Sequence, residues 1–209
     1  MRIHKTALNT IIISTLVALL ALALGLFGQG MKFSLGAEAA MAWAPLLLSV
    51  LAALAVSFLF GWVRYGLDGG LSLAIAVLHD QLLSLAMCSI YSLAFGLSAY
   101  TVPLLVAGLA FTYLFTVPLL RDARARMHGN SSLTRAQAAE MAVKSTRPLK
   151  LLVVLLSALV LLAFAVGGNV HMYGSLLPLL SGLIAAALSS CLITPHVWAA
   201  FAIKASRRK

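Results

Sequence analysis

Long apolar runs separated by short polar links organise this chain. Six runs stand out: Ala7–Phe27, Met41–Trp62, Leu71–Phe95, Thr101–Leu120, Pro148–Val166 and Leu176–Phe201. Each has about the 20 residues that an α-helix needs to cross the hydrocarbon core of a bilayer. None shows the apolar–polar alternation of a barrel strand, and a lipid-exposed backbone must satisfy its hydrogen bonds within its own segment. The pattern predicts an all-α integral membrane protein, a single domain of six transmembrane helices over residues 1–209. The longest polar stretch, Arg121–Arg147, is expected to form a basic cytoplasmic loop. A short helix near Arg135–Ser145 should lie in it, on the membrane surface. Thr134 and Gln137 have capping-box spacing, and Glu140 with Lys144 forms a favourable i,i+4 pair.

Proline use follows the same plan. Pro45, Pro103, Pro148 and Pro178 fall in the first turn of an expected span, where the missing N–H costs nothing. Pro118 and Pro195 sit near span ends and are expected to bend or end their helices. The links Gly28–Ala40 and Gly96–Tyr100 are short, so the third and fourth spans should form a tight antiparallel hairpin.

Composition narrows the class. The chain is 62% hydrophobic and only 10% charged, against about 25% charged in soluble domains. A net charge of +10 could suggest nucleic acid, but its distribution argues otherwise. With the N-terminus in the cytoplasm, all but Lys32 of the 15 Lys and Arg fall on the cytoplasmic side. That asymmetry predicts both termini inside. The basic ends would attract anionic lipid headgroups, and no basic soluble face exists to bind nucleic acid. Cys88 and Cys191 lie within expected spans, as packing residues rather than a disulfide or a metal site. Arg2 and Lys5 before an apolar run resemble a secretory signal with cleavage near Ala37–Ala40. The run is long for a signal core, so a retained anchor is expected.

Candidate chemistry begins with one acid. Of the five acidic residues, Glu38, Asp68, Asp122 and Glu140 lie in polar connections. Asp80 lies inside the apolar run Leu71–Phe95, where a charge is costly and a relay or buried-contact role is the default reading. Stepping by four along that span gives Ser72, Ala76, Asp80, Ser84, Cys88, Ser92 and Gly96, all small or polar. Such a row forms a ridge along which another backbone can approach closely. Comparable rows are Gly108, Thr112 and Thr116 in the fourth span, and Ser181, Ala185 and Ser189 beside Gly182, Ala186, Ser190 and Thr194 in the sixth. The three rows are expected to face one another and enclose Asp80. The site candidates are therefore Asp80 with His79, packed by Ser84, Cys88, Gly108, Thr112 and Ser189. His79 lies about 100° around the helix from Asp80 and so should point elsewhere. His171 and His196 are poorly placed to help, so no metal site is expected. With no nucleophile elbow, phosphate loop or HExxH motif, neither an enzyme nor a cofactor is expected.

The segment Arg64–Gly96, RYGLDGGLSLAIAVLHDQLLSLAMCSIYSLAFG, resembles the region around the Leu-Leu-His-Asp motif in the third transmembrane helix of the SecF family. Gly167–Gly168, Gly182, Ser189–Ser190 and Pro195 are similar to the glycine, serine and proline pattern of that family's last two helices. Ser145–Thr146 and the basic loop fall where the family has a polar start to its fifth helix. The resemblance covers roughly residues 60–200. It implies an RND-type half-transporter in a bacterial inner membrane, paired as a hetero-oligomer with a SecD-like subunit and working beside the Sec channel. The implied function is assistance to protein export or membrane-protein release, driven by the proton gradient. Two departures stand out. Only Gly28–Ala40 replaces the family's extracytoplasmic domain, so the chain resembles a reduced form. Thr112 and Tyr113 occupy the positions of an Asn-Asp pair implicated in proton coupling. Asp80 would then be either the remaining coupling acid or a buried contact in a scaffold subunit.

Overall fold

The computed structural model describes residues 12–13, 15–16, 37–95, 101–167 and 173–206. Most of the first expected span, most of the link Gly28–Ala40, the link Gly96–Tyr100 and His171 lie outside the described residues. Within them the chain is helical, with no strand: α1 Ala37–Phe95, α2 Thr101–Gly129, α3 Arg135–Val166, α4 Tyr173–Leu192 and α5 Thr194–Ser206. Three stretches are long and apolar enough to cross a membrane: Leu47–Tyr91, Leu105–Gly129 and Arg135–Phe164. A fourth is added if Leu176–Leu192 and Thr194–Phe201, bent by 41° at their junction, count as one.

The 59 residues of α1 do not form a straight rod. At Gly66 the backbone takes φ 78° and ψ 175°, a region open to glycine and closed to side chains with a Cβ. The helix folds back there on itself. A Cβ on Gly61 would come within 2.7 Å of the Gly70 Cα, although nine residues of straight helix would separate them by about 13 Å. The two arms of α1 thus cross at bare backbone, which leaves the second arm free to carry Asp80 into the interior.

Interhelical pairs give the register. Asp80 meets Thr112 and Leu73 packs with Leu119, while Cys88 packs with Leu105. The second arm of α1 is therefore antiparallel to α2, as the hairpin expectation required. On α4, Ser181 reaches Cys88, Gly182 abuts Gly108 and Ala186 packs with Phe115, so α4 runs parallel to α2. Large apolar side chains between Leu47 and Val63 and between Leu149 and Val166 remain exposed. Their placement suits lipid or another membrane chain, since the bilayer gives them no drive inward.

The polar connector differs from expectation. α2 continues through Pro118 to Gly129, and α3 runs unbroken from Arg135 through Pro148 to Val166. The loop shrinks to residues 130–134. Proline removes one backbone donor and crowds the preceding turn. Just before it, the Ser145 and Thr146 hydroxyls both donate to the Ala142 carbonyl, at 3.0 and 2.8 Å. The start of α3 is as the sequence proposes. Thr134 N–H donates to Gln137 Oε1 at 3.0 Å and Gln137 N–H to Thr134 Oγ1 at 3.3 Å, and Lys144 pairs with Glu140 at 3.0 Å. The bend foreseen at Pro195 falls at Ile193, between α4 and α5.

Candidate functional site

Asp80 stands one turn of α1 from Ala76 and Ser84, both fully buried, and is itself 1% exposed. Helical spacing puts these small residues in line, so α2 and α4 can come close enough to seal the carboxylate. Thr112 Oγ1 on α2 donates to Asp80 Oδ2 at 2.7 Å. Ser189 on α4, fully buried, faces the same carboxylate. Above the acid, Cys88 Sγ lies 3.4 Å from Ser181 Oγ, and the backbones of Gly108 and Gly182 touch. The structure thus brings Asp80, Ser84, Cys88, Gly108, Thr112 and Ser189 to one three-helix seam.

His79 departs from the expectation. Its Nδ1 lies 3.8 Å from Asp80 Oδ1, and the residue is 7% exposed. The angular argument placed only its Cα–Cβ direction. The length of the side chain beyond Cβ brings the imidazole to the neighbouring carboxylate. The distance is within ion-pair range and beyond a hydrogen bond. Chemically, the site offers one carboxylate, the hydroxyls of Thr112 and Ser189 and one imidazole, inside a shell of small side chains. Among the described residues no third His, Cys, Asp or Glu gathers with this pair.

Two polar groups were missed by sequence reading. Gln81, 7% exposed, donates from Nε2 to the Leu105 carbonyl at 3.3 Å, which ties the hairpin one residue from the acid. Lys150, counted above with the cytoplasmic charges, is 3% exposed. Its Nζ donates to the Ser190 carbonyl at 3.3 Å and lies 3.8 Å from Cys191 Sγ. The signal was present: Lys150 follows Pro148 at the very start of an apolar run, where a long cation can reach a neighbouring helix instead of water.

At the fourth-helix positions singled out above, the two residues part company. Thr112 faces Asp80, whereas the Tyr113 hydroxyl bonds Ser57 on the first arm of α1. The Thr112 contact gives a direct test. Thr112→Val keeps the shape but strips the donor from a buried acceptor, which costs about 1–2 kcal/mol. Thr112→Ser should restore most of that loss. Unfolding midpoints of the purified variants in detergent check both values.

No curated protein and no solved structure matches the chain. A protein-family profile does match, that of the protein export membrane protein SecD/SecF, C-terminal, over residues 33–204. That span takes in α1 to α4 and all but the last two residues of α5, the broken α1 and the Asp80 seam included, and on it the chain belongs to the SecD/SecF family of protein-export membrane proteins.

Proposed function

We propose that the chain is a SecF-like half of a SecD–SecF-type complex that assists protein export or membrane-protein release. In this reading Asp80 carries the proton that couples the complex to the transmembrane gradient. The supporting observation is the sealed carboxylate itself. It is 1% exposed, shared by three helices and beside an imidazole, in a member of an export family. Transporter cores of this kind place coupling groups near the bilayer midplane.

The proposed topology has six spans with both termini in the cytoplasm of a bacterial cell. Leu47–Tyr91 has 45 residues, a helical length of about 67 Å, roughly twice the hydrocarbon thickness. Turned back at Gly66, it counts as two spans, and residues 7–27 supply another. A SecD-like subunit, beside the Sec channel, would supply the other half of the hetero-oligomer.

A second reading is a scaffold subunit that does not couple. One observation favours it: the position matching the family's fourth-helix acid is Tyr113, whose hydroxyl is committed to Ser57.

Asp80→Asn separates the two readings. The substitution keeps an acceptor for Thr112 and removes the proton-carrying group. Secretion of a reporter is measured in cells carrying wild type, the variant or a deletion of the chain, at matched membrane levels. Under the coupling reading, Asp80→Asn falls to the deletion level and loses its response to collapse of the proton gradient. Full activity of Asp80→Asn, with export abolished by deletion, would leave only the scaffold.

A further inference from the structure

The exposed side of the α1–α2 contact carries a feature that the Asp80 seam does not use. The first arm of α1 and α2 run side by side in the same direction. Ser57 bonds Tyr113, and farther along Arg124 Nη1 donates to the Arg64 carbonyl at 3.4 Å. Between them lies an open groove of about 520 Å³ whose walls are Val56 and Phe60 on α1 and Tyr113, Leu114, Val117 and Pro118 on α2. Its walls are almost wholly apolar, with the Tyr113 hydroxyl turned to Ser57 beneath.

Both walls end in arginine at the same level. One helical turn beyond Phe60 is Arg64, and one turn beyond Pro118 is Arg121; both are exposed. Arg124 stands beside them, against the Gly66 turn. Among the described residues no carboxylate lies within ion-pair distance of any of the three, because Asp122 is engaged by Arg126 and Asp68 by Arg135. Trp62, 50% exposed, marks the same depth as membrane interface, where indole rings settle at headgroup level.

We infer that this groove binds an anionic phospholipid, with one acyl chain along Val56, Phe60, Leu114 and Pro118 and the phosphate on Arg64 and Arg121. The dimensions agree. From Ala110, which also lines it, to Pro118 the groove follows eight residues of helix, about 12 Å, close to the depth of one leaflet of a hydrocarbon core about 30 Å thick. The occupant must join an apolar body of that length to an anion at one end. A free anion would leave the groove unfilled. A facing helix would have to bring an acid to the level of three arginines. The assignment stands apart from the export reading.

The test is native mass spectrometry of the full-length protein, released from micelles containing equal phosphatidylglycerol and phosphatidylcholine with the same acyl chains. Wild type is expected to retain phosphatidylglycerol preferentially. Arg64→Gln and Arg121→Gln should each cut that preference roughly fivefold, and Arg64→Lys with Arg121→Lys should largely keep it. Val56→Trp, which fills the groove from an exposed position, should reduce bound lipid of both kinds. Equal retention of the two lipids by wild type would overturn the assignment, as would an unchanged preference in the Arg→Gln variants. So would a photocrosslinker at Leu114 that captures a protein chain in native membranes instead of lipid.

Discussion

Gly182→Leu should unfold the three-helix seam more readily than any other single substitution at its centre. The reason is contact between backbones. A Cβ at residue 182 would stand 2.9 Å from the Gly108 Cα, and one at residue 108 would stand 3.2 Å from the Gly182 Cα. Both distances are below ordinary carbon–carbon contact, about 3.5–4.0 Å. No flexible side chain stands there to move aside, so α2 and α4 must separate as rigid bodies. Overpacking of a tight core costs about 1–3 kcal/mol; the leucine should reach the upper end and Gly182→Ala the lower. Gly108→Ala, with its slightly longer approach, should cost less than Gly182→Ala. Leu155→Ala, at a side chain 61% exposed, should move the midpoint little. Denaturation in mixed detergent micelles orders the four variants. A Gly182→Leu protein as stable as Leu155→Ala would mean that the helices do not meet at this pair. Separation of α2 from α4 also pulls Thr112 and Ser189 away from the acid, so export should fall with stability.

The seam was legible in the sequence for the same physical reason that it is fragile. In a bilayer, close packing depends on small side chains repeated at helical spacing, and rows such as Gly108–Thr112–Thr116 can be read without coordinates. Asp80 was legible because an acid in an apolar run has few places to go. The capping pair Thr134–Gln137 was legible because it is local. What escaped depended on side-chain reach or on the continuity of the backbone. His79 was placed by its angle on the helix, but the imidazole is long enough to return to Asp80. Lys150 was placed by its charge, but its stem carries the ammonium to α4. The polar stretch Arg121–Arg147 reads as a loop holding one short helix near Arg135–Ser145, because polarity hides how far the flanking helices continue. Most of it is good helix-forming sequence that extends α2 and α3. At their surface end, Arg135 engages Asp68 at 2.5 Å and lies 5.5 Å from the centroid of the Trp198 ring. No periodicity forecasts contacts between residues so far apart in the chain. The same end gathers Leu73, Leu119, Leu120, Ala123 and Ala142 around Trp198, so the helical connector helps close the bundle beneath the acid.

Gly66→Val should be the most damaging change outside the seam, by a different mechanism. At this residue space is not the limit, since a Cβ would meet only Arg124 Nη1, at 4.0 Å. The limit is the backbone, whose φ of 78° with ψ of 175° lies in a region essentially reserved for glycine and costing other residues about 1–3 kcal/mol. A β-branched side chain is the worst choice there, because two γ carbons restrict the already strained torsions further. The two mechanisms predict different responses to side-chain size. At Gly182 the penalty should grow steeply from alanine to leucine. At Gly66 it should be largely present already in Gly66→Ala, with a smaller further loss in Gly66→Val. The alternative open to the mutant is to straighten α1. That would carry Gly61 away from Gly70, break the Ser57–Tyr113 bond and withdraw the Arg64 carbonyl from Arg124. Cysteines introduced at exposed Val63 and Leu67, one on each side of the turn, report this directly through distances between attached spin labels. A longer or broader distance distribution in Gly66→Val, together with a lowered unfolding midpoint, is the expected result. An unchanged distribution and midpoint would show that the hairpin does not depend on this backbone conformation.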